Sequence, residues 1–413
     1  MTQIQKYKLG WLLAILLIPI LLFSLISCEE YPDEFKLTDG TPEIYYIRVA
    51  APESADSLLV RAYMDNGIVL VGKNLTSIKE MWFNDKKAIL NTSLITDQHL
   101  FVNVPGEIPE VVTDKIYMIT KNSDTLTYDF GVQVPGPLVT RISNEYAHDG
   151  DVAILYGDYF IDDPNAPLEI TMAGNIPVTE IISIEKTRVT FRIPQETQKG
   201  YLNVNSIYGN GRSRFQFRDD RGMILDWDNL NADGGWRSGK IKDSDPEGID
   251  GNYVYFTGSI SGDPTEDFAE DDFSFNLWGS ANGRPEGDLF DSDPASSTLK
   301  FEVNVTQPWS SLAMQIIFTP WSLRDTNGYL TDGVTPRALW RPWEQTGSYQ
   351  TDGWVTVSIP LTEFKFDHAG GILEPAPAGN YGGLTMFVYH GGIPGTPSTP
   401  FIAIDNIRVV PNE

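Results

Sequence analysis

Apolar and polar residues alternate with a period of two through much of this chain. Strands are the element that pattern predicts, because successive side chains of a strand point to opposite sides. In "FSFNLW", Phe273, Phe275 and Leu277 share one side, and Ser274, Asn276 and Trp278 the other. In "LAMQIIFTPW", Leu312, Met314, Ile316 and Phe318 form the apolar series, with Gln315, Thr319 and Trp321 opposite. In "LTMFVYH", Leu384, Met386 and Val388 look inward, and Thr385, Phe387 and Tyr389 outward. Other runs of the same kind are "YVYFTGSI", "TLKFEVNVT", "WVTVSIPL" and "FIAIDNIRVV". Gly, Asp and Pro-rich loops separate them, and no clear helical stretch intervenes from about residue 222 onward. A jelly-roll β-sandwich over 222–413 is the architecture this predicts.

Upstream, short β-rich runs recur. "TPEIYYIRV", "GIVLVGKNL" and "HLFVNVPGEI" are echoed by "GPLVTRIS", "DVAILYGDYF" and "RVTFRIPQET". Gly72 aligns with Gly157 and Pro105 with Pro194. Each unit spans about 90 residues, the size of a small β-sandwich. The repeat resembles the immunoglobulin-like IPT/TIG domain through Pro42, Ile44, Gly67, Leu70, Gly72, Asn74 and Leu75 in the first copy. Pro137, Leu155, Gly157, Asp158 and Phe160 carry it in the second, which has Asp151 where the pattern has its first glycine. The expected fold is therefore all-β: two tandem immunoglobulin-like sandwiches, 41–135 and 136–218, followed by the jelly roll. Pro135 and Pro137 stiffen the joint between the first two. In such families these modules mostly act as spacers.

The first 27 residues lie outside this pattern. Lys6 and Lys8 precede an apolar run from Trp11 to Ile26, with no acidic residue before Cys28. This reads as an export signal. "LISC" resembles the lipobox of bacterial lipoproteins, which implies lipidation of Cys28 and membrane attachment through that lipid. The acidic "EEYPDEF" after it resembles the surface-export signal of Bacteroidetes lipoproteins, and 28–40 reads as a flexible acidic tether. Cys28 is the chain's one cysteine, so no internal disulfide can form and stability must come from packing.

Charge narrows the partners. Against 30 Lys and Arg stand 56 Asp and Glu, a net −26, which argues against nucleic acid or anionic lipid. The acidic stretches carry no recognisable catalytic motif, and a glycosidase needs two carboxylates at a set distance across a cleft. We expect no enzyme. His99, His148, His368 and His390 have no evident partners, so no metal site is expected, although the acidic loops leave room for a structural Ca²⁺. No cofactor is implied.

What remains is the tryptophans. Seven of the ten fall after residue 235, so aromatic chemistry concentrates in the C-terminal domain. Trp236, Trp309 and Trp354 read as structural. Trp278, Trp321 and Tyr389 fall on sides that also carry Asn276, Gln315 or Thr. An aromatic ring beside amide and hydroxyl groups suits a neutral sugar, whose C–H face rests on the ring while its hydroxyls take hydrogen bonds. In "ALWRPWEQ", Pro342 disfavours helix at Arg341. Polyproline II geometry would put Trp340 and Trp343 on one side, roughly 9 Å apart, with Arg341 beside them. The expected glycan contacts are thus Trp278, Trp321, Trp343, Trp340, Arg341, Tyr389, Asn276 and Gln315, with Trp343 favoured over Trp340.

The C-terminal segment, through "LDWDNL", "FSFNLWG", "LKFEVNV", "IIFTPWS", "WRPWE", "GWVTVSIPL" and "FIAIDNIRVV", resembles the glycan-binding domain of surface glycan-binding proteins from Bacteroidetes polysaccharide utilisation loci, xyloglucan-binding members above all. The resemblance implies a lipid-anchored protein on the outer face of the outer membrane. It implies capture of a neutral plant polysaccharide for a TonB-dependent transporter, that transporter's lipoprotein partner and surface glycoside hydrolases. A protein-interaction lipoprotein or adhesin that works through the repeats is the competing reading, and a weak glycosidase a third.

Overall fold

The computed structural model describes residues 35–231, 240–265, 274–277, 286–323 and 326–412. The expected export signal, Cys28, Trp236 and Trp278 lie outside them. The fold is all-β; the helical turns among the described residues are 3-10 turns of three or four residues. None is long and apolar enough to cross a membrane. Contacts divide the chain into two compact units that meet at Val134 and Pro135.

The first unit is a sandwich. One sheet orders Glu43–Val49, Gly67–Lys73 and His99–Asn103; the other orders Lys86–Lys87, Ile78–Phe83, Lys115–Thr120 and Thr125–Asp129. Ile47, Leu70, Met81, Phe83, Leu100 and Ile116 fill the space between them. The second unit begins with another sandwich, whose sheets run Leu138–Ile142, Val152–Asp158, Arg188–Arg192, Ile181–Glu185 and Ile176–Pro177, Glu169–Met172, Asn203–Ser206, Gly209–Arg212. Val139, Leu155, Phe191, Val204 and Phe217 form its core.

The repeat seen in the sequence has a physical basis. In each sandwich the first strand pairs with the second and bulges early, between Ile44 and Tyr46 and between Val139 and Arg141. At each bulge the chain crosses the paired glycine, Gly72 or Gly157, so closely that a Cβ there would collide with the carbonyl of Glu43 or Leu138. Two residues on, Asn74 and Tyr159 both take positive φ, 55° and 57°, and deliver Leu75 and Phe160 into the cores. Gly157→Ala is expected to destabilise the second sandwich by about 1–3 kcal/mol or more, because backbone rather than a flexible side chain must give way. Urea denaturation would show it as a lower midpoint.

The C-terminal sandwich packs a sheet ordered Lys240–Lys242, Tyr253–Thr257, Phe401–Pro411, Ser297–Gln307 and Val355–Pro360 against one ordered Ser274–Asn276, Gly383–Tyr389, Ala313–Thr319 and Arg337–Trp340. Met223–Leu225 also pairs with the terminal strand. Alternation assigned the core faces as the structure has them: Leu312, Met314, Ile316 and Phe318 meet Leu384, Met386 and Val388 there. Trp309 is fully buried. Trp354 packs edge-on to Tyr253 at 5.3 Å, and its indole N–H donates to the Glu247 carbonyl at 2.9 Å.

The second sandwich is fastened to this domain by charge. The turn around Glu145, between Leu138–Ile142 and Val152–Asp158, lies against the outer side of the larger sheet. The Thr356 N–H donates to the Ser143 carbonyl at 3.0 Å; the Glu145 N–H donates to Thr356 Oγ1 at 2.7 Å. The Glu145 carboxylate accepts from Lys300 Nζ at 2.6 Å and Arg408 Nη2 at 2.8 Å. Arg408 also grips Glu302, Nη1 to Oε2 at 2.7 Å and Nη2 to Oε1 at 3.1 Å. Its guanidinium lies 4.8 Å from the Tyr146 ring. Glu302 and Arg408 are wholly buried and Glu145 nearly so. Burial acts to lower the Arg408 pKa, but the Glu302 and Glu145 carboxylates outweigh it, and Arg408 is held firmly protonated.

Candidate glycan-binding site

The smaller sheet of the C-terminal sandwich turns one side to the core. Its other side carries Gln315, Thr385, Phe387 and Tyr389, which alternation placed outward. Strand register puts Asn276, Thr385, Ile317 and Arg337 in one row, and Ser274, Phe387, Gln315 and Leu339 in the next. Tyr389 pairs with Ala313 in the row beyond.

Much of that side is covered. The turn Gly328–Thr331 lays Tyr329 and Leu330 over Ile317 and Phe387. The Tyr329 hydroxyl and Thr385 Oγ1 are hydrogen-bonded at 2.7 Å. Arg337 holds this turn from beneath: Nη1 donates to the Leu330 carbonyl at 2.7 Å and to Gln315 Oε1 at 2.9 Å, and Nη2 to the Tyr329 carbonyl at 2.8 Å. Burial pushes the Arg337 pKa down to about 10, against Asp332, so the guanidinium is still charged at neutral pH.

Four expected contacts therefore move. Gln315 is fully buried; its amide N–H₂ donates to the carbonyls of His368 and Tyr389, each at 3.0 Å. It ties the loop at His368 to the strand at Tyr389 and touches no solvent. Trp343 is 4% exposed and part of the core, with its indole N–H donating to the Leu312 carbonyl at 2.8 Å. Trp340 pairs with Met314, which turns it to the core side. There it meets Phe301 and Trp309 edge-on, each at 5.3 Å. Arg341 donates to the Gly391 carbonyl and pairs with Glu344. Polyproline geometry does not form: the Glu344 N–H returns to the Arg341 carbonyl at 3.1 Å, which makes 341–344 a tight turn with Pro342 at its second position, where proline is favoured. "ALWRPWEQ" is an anchor.

Trp321 and Tyr389 remain partly exposed. Trp321 follows the strand end where Thr319 pairs with Gly383; Tyr389 ends the strand Gly383–Tyr389. At about 3.3 Å per residue the two lie roughly 20 Å apart along the strand direction. The Asn276 backbone pairs with Thr385.

Around Tyr389 the structure assembles a patch that the sequence did not show. Its ring stacks on Phe387 at 5.6 Å and meets His390 edge-on at 5.6 Å. His390 in turn meets His368 at 5.5 Å. The two histidines are 22 residues apart in the chain, and no local motif joins them; Gln315 brings their segments together. Burial, then the neighbouring His368, push the His390 pKa below its ordinary value, with Asp367 and Asp263 opposing. A neutral imidazole both donates and accepts, which matches a hydroxyl. Such a patch can hold a ring face and bond its hydroxyls.

Comparison with solved structures decides the family. The crystal structure of the surface glycan-binding protein PbSGBP-B from Prevotella bryantii is 36% identical, covers 91% of this chain and 100% of its own, and has a TM-score of 0.70. The chain belongs to the surface glycan-binding protein B family. The profile of the family's xyloglucan binding domain matches residues 217–411, so the Tyr389 patch and Trp321 of this surface glycan-binding protein lie within that domain. The SGBP-B from a complex xyloglucan utilization locus in Bacteroides uniformis is 15% identical over 90% of this chain and 100% of its own, with a TM-score of 0.43. The SGBP-B of a Bacteroides ovatus mixed-linkage glucan utilization locus, solved with a mixed-linkage heptasaccharide, is 10% identical over 83% of this chain and 70% of its own, with a TM-score of 0.27. No curated protein matches the chain.

Proposed function

We propose that this protein captures a neutral β-glucan, xyloglucan in the first place, at the cell surface and without catalysis. The full-length likeness to a surface glycan-binding protein carries the reading, and the match of 217–411 to a xyloglucan binding domain points to the ligand. The aromatic patch of Tyr389, His390 and His368 supports it, with Trp321, Trp278 and Asn276 as further contacts. Attachment through a lipid on Cys28 places the site outside the outer membrane, where captured chains pass to a TonB-dependent transporter with its lipoprotein partner and to surface glycoside hydrolases.

Affinity electrophoresis of the mature chain in gels of xyloglucan, mixed-linkage β-glucan and other neutral polysaccharides tests this. Retardation by xyloglucan is the expected result; free migration in every gel would sink the proposal. Release of reducing ends by the purified protein would contradict the absence of catalysis. Tyr389→Ala is expected to weaken binding at least tenfold, about 1.4 kcal/mol, because aromatic anchors dominate such contacts. Isothermal titration with a xyloglucan oligosaccharide would measure it. Unchanged affinity would move the site off this face.

A further inference from the structure

Where the second sandwich meets the larger sheet, a cleft of about 410 Å³ opens beside the Glu145 fastening, within the size range of small-molecule sites. Its charge runs against that of the chain. Arg141, Arg214, Arg221 and Lys300 line it together with Glu145 and Asp219, four cations to two acids on a protein of net −26. Both acids are already taken. Glu145 accepts from Lys300 and Arg408. Asp219 is held by Arg221, Nε to Oδ1 at 2.9 Å and Nη2 to Oδ2 at 2.8 Å. Arg141 and Arg214 are the surplus: neither has a carboxylate partner among the described residues.

Both surplus cations are positioned. Arg141 stands across from Tyr156 in the strand pair, and its guanidinium lies over that ring at 3.5 Å. Stacking uses the face of the planar group and leaves its N–H edge to donate. The Arg214 N–H donates to the Val139 carbonyl at 3.2 Å, beside the parallel bridge between Val139 and Ser213, so the segments that carry the two arginines run side by side. Across the cleft the larger sheet offers hydroxyls, from Thr298 on Ser297–Gln307 and Ser358 on Val355–Pro360. Thr298 Oγ1 donates to Asn412 Oδ1 at 2.6 Å, which leaves the Asn412 amide N–H₂ to donate.

We propose that this cleft binds a hexuronate, a single carboxylate-bearing sugar on an otherwise neutral glycan. Arg141 and Arg214 take the carboxylate, and Thr298, Ser358 and Asn412 take the hydroxyls. A planar guanidinium matches a carboxylate with two parallel hydrogen bonds. A polyuronate fits less well, because a net −26 repels a polyanion. An acidic protein surface fits less well too, since a specific protein contact needs about 800 Å² from each partner, far more than a cleft of this size offers. An isolated uronate meets neither objection. The cleft lies on the outer side of the larger sheet and Tyr389 on that of the smaller, so this is a second point of contact, and it does not rest on the glucan reading of the Tyr389 patch.

Isothermal titration of the full mature chain with glucuronosyl-xylotriose and with unsubstituted xylotriose tests it. The uronate-bearing sugar is expected to bind about tenfold more tightly, the scale of one charge-assisted hydrogen bond, by a margin that shrinks as sodium chloride is raised. Arg141→Gln and Arg214→Gln, both at exposed positions, should each reduce the margin and together abolish it. Melting temperature and retardation by xyloglucan should not change in either variant. That readout keeps the two sites apart: a native protein that migrates freely in xyloglucan yet prefers the uronate would sink the glucan proposal and leave this one standing. Equal affinity for the two sugars would overturn the uronate site, and so would a margin that survives in the double variant. Equally tight binding of an acidic hexapeptide would also overturn it, by giving the cleft to a protein partner.

Discussion

Glu145→Ala is expected to remove about 3–5 kcal/mol from the second unit, the usual consequence of taking one partner out of a buried ionic network. The loss is not that of one salt bridge. Lys300 loses its carboxylate at 2.6 Å and Arg408 loses one of two, and both stay buried beneath the second sandwich. The Glu145 backbone N–H and Thr356 Oγ1 contact survives alanine, so the surface remains docked while a buried ammonium has no counter-ion. Calorimetry of the mature chain would read the effect as a lower or split transition for the second unit, with that of the first unit unmoved. A single unshifted transition would show that the two sandwiches do not depend on this contact. Glu145→Gln is the informative companion: it keeps the shape and acceptor oxygen but drops the charge, and should recover part of the loss. The contact also bears on what a binding experiment should use. A fragment that starts at residue 222 would leave Arg408, Lys300 and Glu302 without their cover, and the strand Met223–Leu225 begins only one residue later.

Period-two alternation was enough to find the strands and to choose the core side of two of them, "LAMQIIFTPW" and "LTMFVYH", because the apolar series is unbroken in each. It says nothing about what covers the other side. Gln315 and Phe387 sit on the outward side, as alternation has them, yet both are fully buried, because Tyr329 and Leu330 come over Phe387 and Gln315 is enclosed by Arg337 and the carbonyls of His368 and Tyr389. Trp340 failed for a different reason. Its strand, Arg337–Trp340, has four residues, too few for a pattern to set the phase, and only pairing with Met314 turns the ring inward. The histidine patch was out of reach altogether, since it joins segments 22 residues apart through a buried glutamine. The terminal strand did carry a visible signal. In "FIAIDNIRVV", Asp405 and Arg408 interrupt an apolar run, and charged residues in a buried strand mark partners elsewhere. Those partners, Glu145, Glu302 and Asp250, come from three other segments.

Trp343→Ala and Trp321→Ala make the same chemical change and should have opposite results. Trp343 is in the core, its ring packed among the residues between the two sheets and its N–H satisfied by Leu312. Truncating a buried tryptophan leaves a large cavity and typically costs about 3–5 kcal/mol. The indole's partner, the Leu312 carbonyl, would also be left unpaired at the start of the strand Ala313–Thr319, where Leu312 itself takes φ of 56°. The variant should melt well below the native protein, and any loss of glycan affinity should follow the fraction unfolded. Trp321 is partly exposed at the far end of the same strand. Its truncation should leave the melting temperature within a few degrees and lower glycan affinity roughly tenfold, on the scale of a single aromatic contact. Thermal melts and titrations on both variants separate the two roles. If Trp343→Ala melts like the native protein and fails to bind, the turn at Pro342 opens to the ligand after all. If Trp321→Ala binds normally, the binding surface is confined to the end of the sheet where Tyr389 stands beside His390 and His368.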